Sequence, residues 1–436
     1  MIAPQPWRLE ELLGASTTRC SPNSTITSIT GATSQPLVLA PIRLLAIDSD
    51  LHLNQTVKIR ATVAAACVVA ITLSNQPARA VSSQIPVPKL VAGVGSVNAS
   101  WSRVGNASSY TLLDGRGKVA CTTKSTSCIV RLTDPLAIRF RLQVSSNGSS
   151  ATGSWSRLIT PRLVFLLAGQ SNATGVESFA IEPGTKVDYF KKPYASPADL
   201  ASKINWFPWT MQPEPGSTWQ PLKTPQYEKS DTFRQWPIFG PEVGFARQMW
   251  KIAQRPVYII KSTYPGASLS DHWAPSANLY QLTVSSTMSR LQTDAKRGDV
   301  DVLGGVIFYQ GEADMAEPVN APQFGSNLNS FLDALTRDLP FMGTPAVVFA
   351  VPSLSAYITR QELAGNCGVC EQLRVGEAEV RAAFFNLTRE DLRFALVDTD
   401  KLPRRSPGAI HLHAASELQL GAEIATSMAT LLGLQP

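Results

Sequence analysis

From Pro161 onward the chain alternates short apolar runs with amphipathic stretches, and this rhythm limits the fold more than any other feature. The runs VFLLA, PVYIIKS, LGGVIFYQ, AVVFAVPS and RFALVDTD are separated by PEVGFARQMWKIAQ, LYQLTVSSTMSRLQ, NLNSFLDALTRDL, EQLRVGEAEVRAAFF and SELQLGAEIATSMATLL. Runs without a polar face suit strands of a parallel sheet covered by helices on both sides. The class expected over residues 162–436 is therefore α/β. Ligands of such open sheets bind beyond the carboxyl ends of the strands. The segments emerging there are AGQSN, KSTYPGASL, YQGEAD, and VDTDKLP leading to GAIHLH. A nucleophile, glycines, an amide, carboxylates and imidazoles thus converge on one rim.

The preceding stretch has a different texture. Between residues 86 and 160 the runs SVNASWSRV, SYTLLD, SCIVRL and IRFRLQVSS alternate with period two between turn residues, which predicts a small all-β sandwich. It resembles a fibronectin type III module, with Trp101 as the early core tryptophan, Tyr110 as the mid-domain tyrosine and FRLQVSSNGSSATGSWS as the penultimate strand and its loop. It gathers no acids, bases and nucleophiles together, so its expected role is spacing, binding or positioning. Further upstream, Lys58 and Arg60 precede an uncharged apolar stretch from Ala61 to Leu73 and then Ala78-Arg79-Ala80. That is the order of a secretory signal peptide over 57–80, cleaved after Ala80, with an apolar part too short to span a bilayer. A secreted or periplasmic protein without stable membrane insertion is expected. Residues 1–56 contain STTRCSPNSTITSITGATS and no amphipathic period, which reads as unstructured chain. If Val57 is encoded by GTG as a start codon, they are not translated.

Composition narrows the function. The net charge is +6 and the pI about 9.0, but basic and acidic residues are interspersed without a basic block, which argues against nucleic-acid binding. Of six cysteines, Cys20 and Cys67 precede the expected cleavage. Cys121 with Cys128 and Cys367 with Cys370 remain as two local pairs, expected disulfides in an oxidising compartment. CGVC has no second CxxC and no neighbouring histidine, so no metal site is expected.

Ser171 in VFLLAGQSNATGV reads in two ways. A serine before a helix commonly caps it, whereas a nucleophilic serine needs a base and an oxyanion site. The chain has four histidines: His52 lies upstream of the signal, His272 follows Asp271, and His411 and His413 sit near the C-terminus. Residues two apart point in different directions in either strand or helix, so one of the last two at most reaches Ser171. His413 immediately precedes AASELQLGAEIA, where it suits a cap. His411 is the better base, and His272 reads as a loop residue near the cleft.

At these residues the chain resembles the SGNH (GDSL-like) hydrolase superfamily, specifically the sialate O-acetylesterase and acetylxylan esterase branch. GQSN at 169–172 matches its nucleophile block, GPEVGFA at 240–246 the stretch before its first long helix, and QGEAD at 310–314 its QGESD block. The resemblance covers 162–434 and implies a flavodoxin-like three-layer domain that needs no metal or organic cofactor. It implies Ser171 as nucleophile, His411 as general base and acid, and an oxyanion hole made of the Ser171 and Gly266 N–H groups and the Gln310 amide. The superfamily's usual aspartate ahead of the histidine is here Gly408. The resemblance offers Glu312 as the triad acid in its place, with Asp398 or Asp400 as lower-ranked alternatives and a loop-fixing role as the other reading of Glu312.

The activity implied is hydrolysis of O-acetyl groups on carbohydrates: acetylated polysaccharide, oligosaccharide or sialic acid. Asn172 and Trp273 are the expected substrate contacts. Trp206, Trp209, Trp219 and Trp236 in the insertion between Ser178 and Gly240 suit either a sugar platform or packing of the insertion itself. Two alternatives remain: a catalytically impaired carbohydrate-binding protein, and a lipase or thioesterase of the same superfamily.

Overall fold

The computed structural model describes residues 85–133, 135–207, 219–222, 226–227 and 237–434. The expected signal peptide and upstream segment lie outside them. The chain first lays down β1 (Lys89–Gly93), β2 (Ser96–Ser100), β3 (Ser109–Asp114), β4 (Val119–Thr123), β5 (Ser127–Arg131), β6 (Phe140–Ser146) and β7 (Ser149–Trp155). These form two antiparallel sheets of order β1-β2-β5 and β4-β3-β6-β7. Alternation in the sequence gives alternation in burial, as Phe140, Leu142 and Val144 of β6 point inward between half-buried Arg141 and Gln143. Trp101 and Tyr110 meet in this core, ring centroids 5.6 Å apart, and the Tyr110 hydroxyl accepts from the Val104 N–H at 3.0 Å. Cys121 and Cys128 form the first expected disulfide, linking β4 to β5. The side chain of Cys367, and with it the second expected pairing, lies outside the described residues. Arg255 Nη1 ties the following domain to the sandwich by donating to the Pro135 carbonyl at 2.6 Å.

The second domain opens with β8 (Arg162–Gly169), α1 (Ser171–Thr174), α2 (Ala198–Ala201) and β9 (Lys203–Phe207). The short strands β10 (Gln220–Pro221), β11 (Gln226–Tyr227) and β12 (Pro237–Ile238) follow, then α3 (Glu242–Ala253), β13 (Val257–Thr263), α4 (Asn278–Arg297) and β14 (Asp301–Tyr309). α5 (Glu312–Ala316), α6 (Phe324–Asp338), β15 (Phe341–Val351), α7 (Ser355–Leu363), α8 (Cys370–Glu390), β16 (Phe394–Asp398) and α9 (Ala414–Leu431) complete it. The sheet order is β10-β9-β13-β8-β14-β15-β16, parallel apart from β10. Counting from β8, the stretch β13-β8-β14-β15-β16 is the 2-1-3-4-5 order of flavodoxin-like folds, whose ligand crevice opens between the first and third strands. Here that is between β8 and β14.

The central strands are apolar because both their faces are covered. Leu163, Phe165 and Leu167 of β8 share a core with Val243, Phe245 and Met249 of α3 and Leu420, Ile424 and Met428 of α9. Val164, Leu166 and Ala168 on the other face pack with residues of α4, α6 and α8 such as Tyr280, Phe331 and Phe384. One charge crosses the first of these layers. Lys261 on β13, with its side chain fully buried, donates to Glu242 Oε1 at 2.9 Å and to the Thr174 carbonyl, the last of α1, at 2.8 Å. Burial pulls its ammonium below the usual lysine range, and Glu242 opposes that pull.

Removing one partner of a buried ion pair leaves an uncompensated charge in a low dielectric. Lys261→Met is accordingly expected to lower the unfolding free energy in urea by about 3–5 kcal/mol. The double variant Lys261→Met/Glu242→Met is expected to recover most of that loss.

Candidate active site

β8 keeps its pairing with β14 to the end: the Gln170 N–H donates to the Tyr309 carbonyl at 3.1 Å. So close an approach requires Gly169, whose φ is +151° and whose added Cβ would lie 2.0 Å from that same carbonyl oxygen. The chain then turns at once into α1. Gln170, not Ser171, occupies the cap position, so the serine is not a capping residue. Ser171 is half-buried between two buried amides, Gln170 and Asn172.

Both amides are held by one carboxylate from the neighbouring strand. Glu312, at the start of α5 just after β14, accepts from Gln170 Nε2 at 2.5 Å and from Asn172 Nδ2 at 2.6 Å. Asn172 Oδ1 in turn accepts from the Leu412 N–H at 3.1 Å, which docks the histidine segment on the residue next to Ser171. His411 Nδ1 lies 3.2 Å from Oε2 of Glu177, in the turn after α1. The histidine segment is therefore bound twice to the loop that carries the serine, by the His411 imidazole and by the Leu412 N–H. Glu177 is one of few non-glycine residues with positive φ, +63°. Such a conformation is costly and persists where surrounding contacts enforce it.

Several sequence expectations change here. Glu312 does not reach His411; it fixes the loop through side-chain amides, close to its other reading, and the imidazole has Glu177 instead. Asp398 is bound to Arg381 at 2.6 Å and Asp400 to the Ser353 hydroxyl at 2.6 Å, so neither lower-ranked acid serves. Gly408 has φ +71°, and an added Cβ would stand 2.4 Å from two carbons of Arg360, so an aspartate has no room where the superfamily has one. Asn172 is buried and tied to Glu312 and Leu412, which removes it from the expected substrate contacts. Trp273 is fully buried, edge-on to Phe308 and Phe331; it is a core residue and not a substrate contact. His413 is the N-cap of α9, its Nδ1 accepting from the Ala415 N–H at 3.2 Å, and its Nε2 lies 3.4 Å from Glu182. Trp219 donates to Asp294 and packs on Tyr258, beside Arg162 and Asp301 at the opposite ends of β8 and β14. Trp209, Trp236 and the side chain of Trp206 lie outside the described residues.

Gly266 sits in an exposed turn following β13 with φ +77°, beside the nucleophile strand because the Tyr264 N–H donates to the Gly169 carbonyl at 3.0 Å. Gln310 and Asp314 clamp this turn. Gln310 Nε2 donates to the Ala267 carbonyl at 2.5 Å and to Asp314 Oδ2 at 3.2 Å. An amide nitrogen carries two hydrogens, so neither remains for an oxyanion. That corrects the expected oxyanion role of Gln310: it shapes the turn. Asp314 receives the Leu269 N–H on both oxygens, at 2.9 and 3.0 Å. Among the described residues no group of His, Cys, Asp and Glu has the arrangement of a metal site.

Residues 161–430 match the family described as SASA, carbohydrate esterase, sialic acid-specific acetylesterase. The chain belongs to this carbohydrate esterase family. A probable carbohydrate esterase from Arabidopsis thaliana is 22% identical over 269 residues, covering 61% of this chain and 90% of the relative. Among solved structures, an Arabidopsis thaliana protein is 19% identical with a TM-score of 0.43, covering 62% of this chain and 98% of its own. A carbohydrate acetylesterase from Xanthomonas citri is 15% identical with a TM-score of 0.42, covering 79% and 75%. Among the described residues no helix is long and apolar enough to cross a membrane.

Two carboxyls at the candidate site are shifted in opposite directions. The hydrogen bond to His411, with help from its charge and that of Arg405, holds Glu177 below the usual glutamate value of 4.5 against burial. A depressed carboxyl stabilises the fold above its unfolded value and loses that contribution as pH falls through the folded one. Urea unfolding of Glu177→Gln is expected to lack the part of the wild-type stability loss that occurs below pH 4.5. Asp314 is pushed up from 3.8 to about 7, chiefly by burial against the Leu269 N–H. Its contribution is present below 3.8 and lost as pH rises through about 7. Asp314→Asn is expected to remove that decline, and an unchanged slope of stability against pH would count against the assignment.

Proposed function

We propose that the protein removes O-acetyl groups from carbohydrates through an acyl-enzyme on Ser171. The observation that carries this reading is the His411–Glu177 pair, docked through Leu412 and Asn172 on the neighbour of Ser171 at the crevice between β8 and β14. When Nδ1–H donates to Glu177, Nε2 is the basic nitrogen, and this tautomer can accept the serine proton. His411 deprotonates Ser171, which attacks the acetyl carbonyl. The oxyanion accepts from the Ser171 and Gly266 N–H groups, preset donors in a fixed turn. The protonated imidazole returns its proton to the departing sugar hydroxyl, and water deprotonated by the same imidazole releases acetate. Glu177 touches no substrate; it is a positioning residue that fixes the tautomer and stabilises the imidazolium.

The membership of a carbohydrate esterase family supports the substrate class. We further read residues 57–80 as a cleaved signal, which gives an exported enzyme starting at Val81. The β1-β2-β5 and β4-β3-β6-β7 order suits a fibronectin type III-like module that positions the catalytic domain.

Acetate release from acetylated xylan, O-acetylated sialic acid and other acetylated glycans tests the activity. Ser171→Ala and His411→Ala are each expected to lower kcat by about a thousandfold or more, and full activity in either variant would overturn the site. Glu177→Gln is expected to lower kcat by about a hundred- to ten-thousandfold, with Glu312→Gln acting through a disturbed Ser171 loop. N-terminal sequencing of the exported protein tests the cleavage after Ala80.

A further inference from the structure

Two rings flank the Gly266 turn and take no part in the steps above. Tyr264 and His272 are stacked, with centroids 5.6 Å apart and planes 26° from parallel, and both are half-buried. Tyr264 begins the turn as the immediate continuation of β13, bonded through its N–H to Gly169 two places before the nucleophile. His272 ends it. The imidazole is fixed by its own loop: Nδ1 accepts from the Ser268 N–H at 3.1 Å, while the Ser268 hydroxyl donates to Asp271 at 2.9 Å. A backbone N–H only donates, so Nδ1 is unprotonated when this bond forms. The proton of the neutral ring is then on Nε2. Burial keeps the imidazole below the usual histidine value, with Asp271 opposing, so the neutral form prevails around pH 7.

The pair therefore supplies an aromatic surface and one N–H donor on the turn that is bonded to the end of the strand before Ser171. The turn beneath it is held by three buried contacts: Gln310 to Ala267 and the two oxygens of Asp314 to Leu269. A pyranose has the complementary character, with an apolar C–H face attracted to the negative face of an aromatic ring and hydroxyls that accept hydrogen bonds. We propose that Tyr264 and His272 form the subsite for the sugar ring bearing the acetyl group, the ring lying against the stacked pair and a sugar hydroxyl accepting from His272 Nε2. This rests on the esterase reading and adds the sugar contact that Trp273, buried in the core, does not provide.

The test compares a substrate with a sugar and one without. Initial rates of the full-length protein are measured on acetylated xylo-oligosaccharide and on p-nitrophenyl acetate. Tyr264→Ala and Tyr264→Leu, the second keeping bulk without a ring face, are expected to raise KM for the oligosaccharide at least about tenfold more than for p-nitrophenyl acetate, a difference worth about 1.4 kcal/mol. Tyr264→Phe is expected to stay near the wild-type KM. His272→Ala is expected to raise the oligosaccharide KM, and His272→Gln, whose amide nitrogen approximates Nε2, to recover part of it. Equal losses of kcat on both esters with both Tyr264 variants, or an unmoved oligosaccharide KM, would overturn the subsite while leaving the esterase reading intact. Wild-type protein that releases acetate from neither ester would overturn both.

Discussion

The rim that carries Ser171 depends on one buried carboxylate. Glu312 is buried and accepts hydrogen bonds from the amides on either side of Ser171, so the end of β8 is fastened to the end of β14 by side chains as well as by the sheet. Through Asn172 the same fastening extends to the Leu412 N–H, and hence to the histidine segment from the far C-terminal part of the chain. A carboxylate in such a place is costly unless its acceptor sites are filled. Two side-chain amides supply one donor to each oxygen. Burial still pushes Glu312 above the usual glutamate range, against the pull of those amides and of Arg404. A group so placed is well suited to holding geometry and poorly suited to balancing a transient positive charge.

That contrast explains the division between the two glutamates. A triad acid must be ionised while the imidazole gains its proton. Glu177, partly exposed and bonded to His411 with Arg405 nearby, is held below the usual range, whereas Glu312 is pushed the other way. In the proposed triad the acid absent at Gly408 is supplied by Glu177, which follows Ser171 in the chain. The left-handed backbone at Glu177 fits this role, because an ordinary turn would aim its side chain elsewhere.

Much of this was legible in the sequence and some was not, for identifiable reasons. Five apolar runs, four of them followed by polar segments that reach the rim, specified a parallel sheet, because side-chain period and burial on both faces are properties of the chain itself. His413 could be read as a cap for a similar reason: it directly precedes a strongly periodic helix. Glu177 could not be found this way, since its position depends on a turn at positive φ and on a histidine brought from the other end of the chain. Its only local signal is a lone acid in GVES, close after the serine. Trp273 and Gln310 failed differently: motif proximity places a residue near a site but not its side chain. Trp273 turns into the cluster of Phe308 and Phe331, and Gln310 spends its two N–H groups on the turn at Ala267.

Behind the serine a second set of buried charges supports the first. Lys261 holds the last carbonyl of α1 and the carboxylate of Glu242, which itself accepts from the Gly240 N–H at 3.1 Å. Glu417 of α9 lies against this pair, fully buried and without a hydrogen-bond partner for either oxygen among the described residues. Burial and the charge of Glu242 push its carboxyl well above the usual range, against the pull of Lys261 and Arg404. The short helix bearing Ser171 is thereby held by Glu312 at its head and Lys261 at its tail.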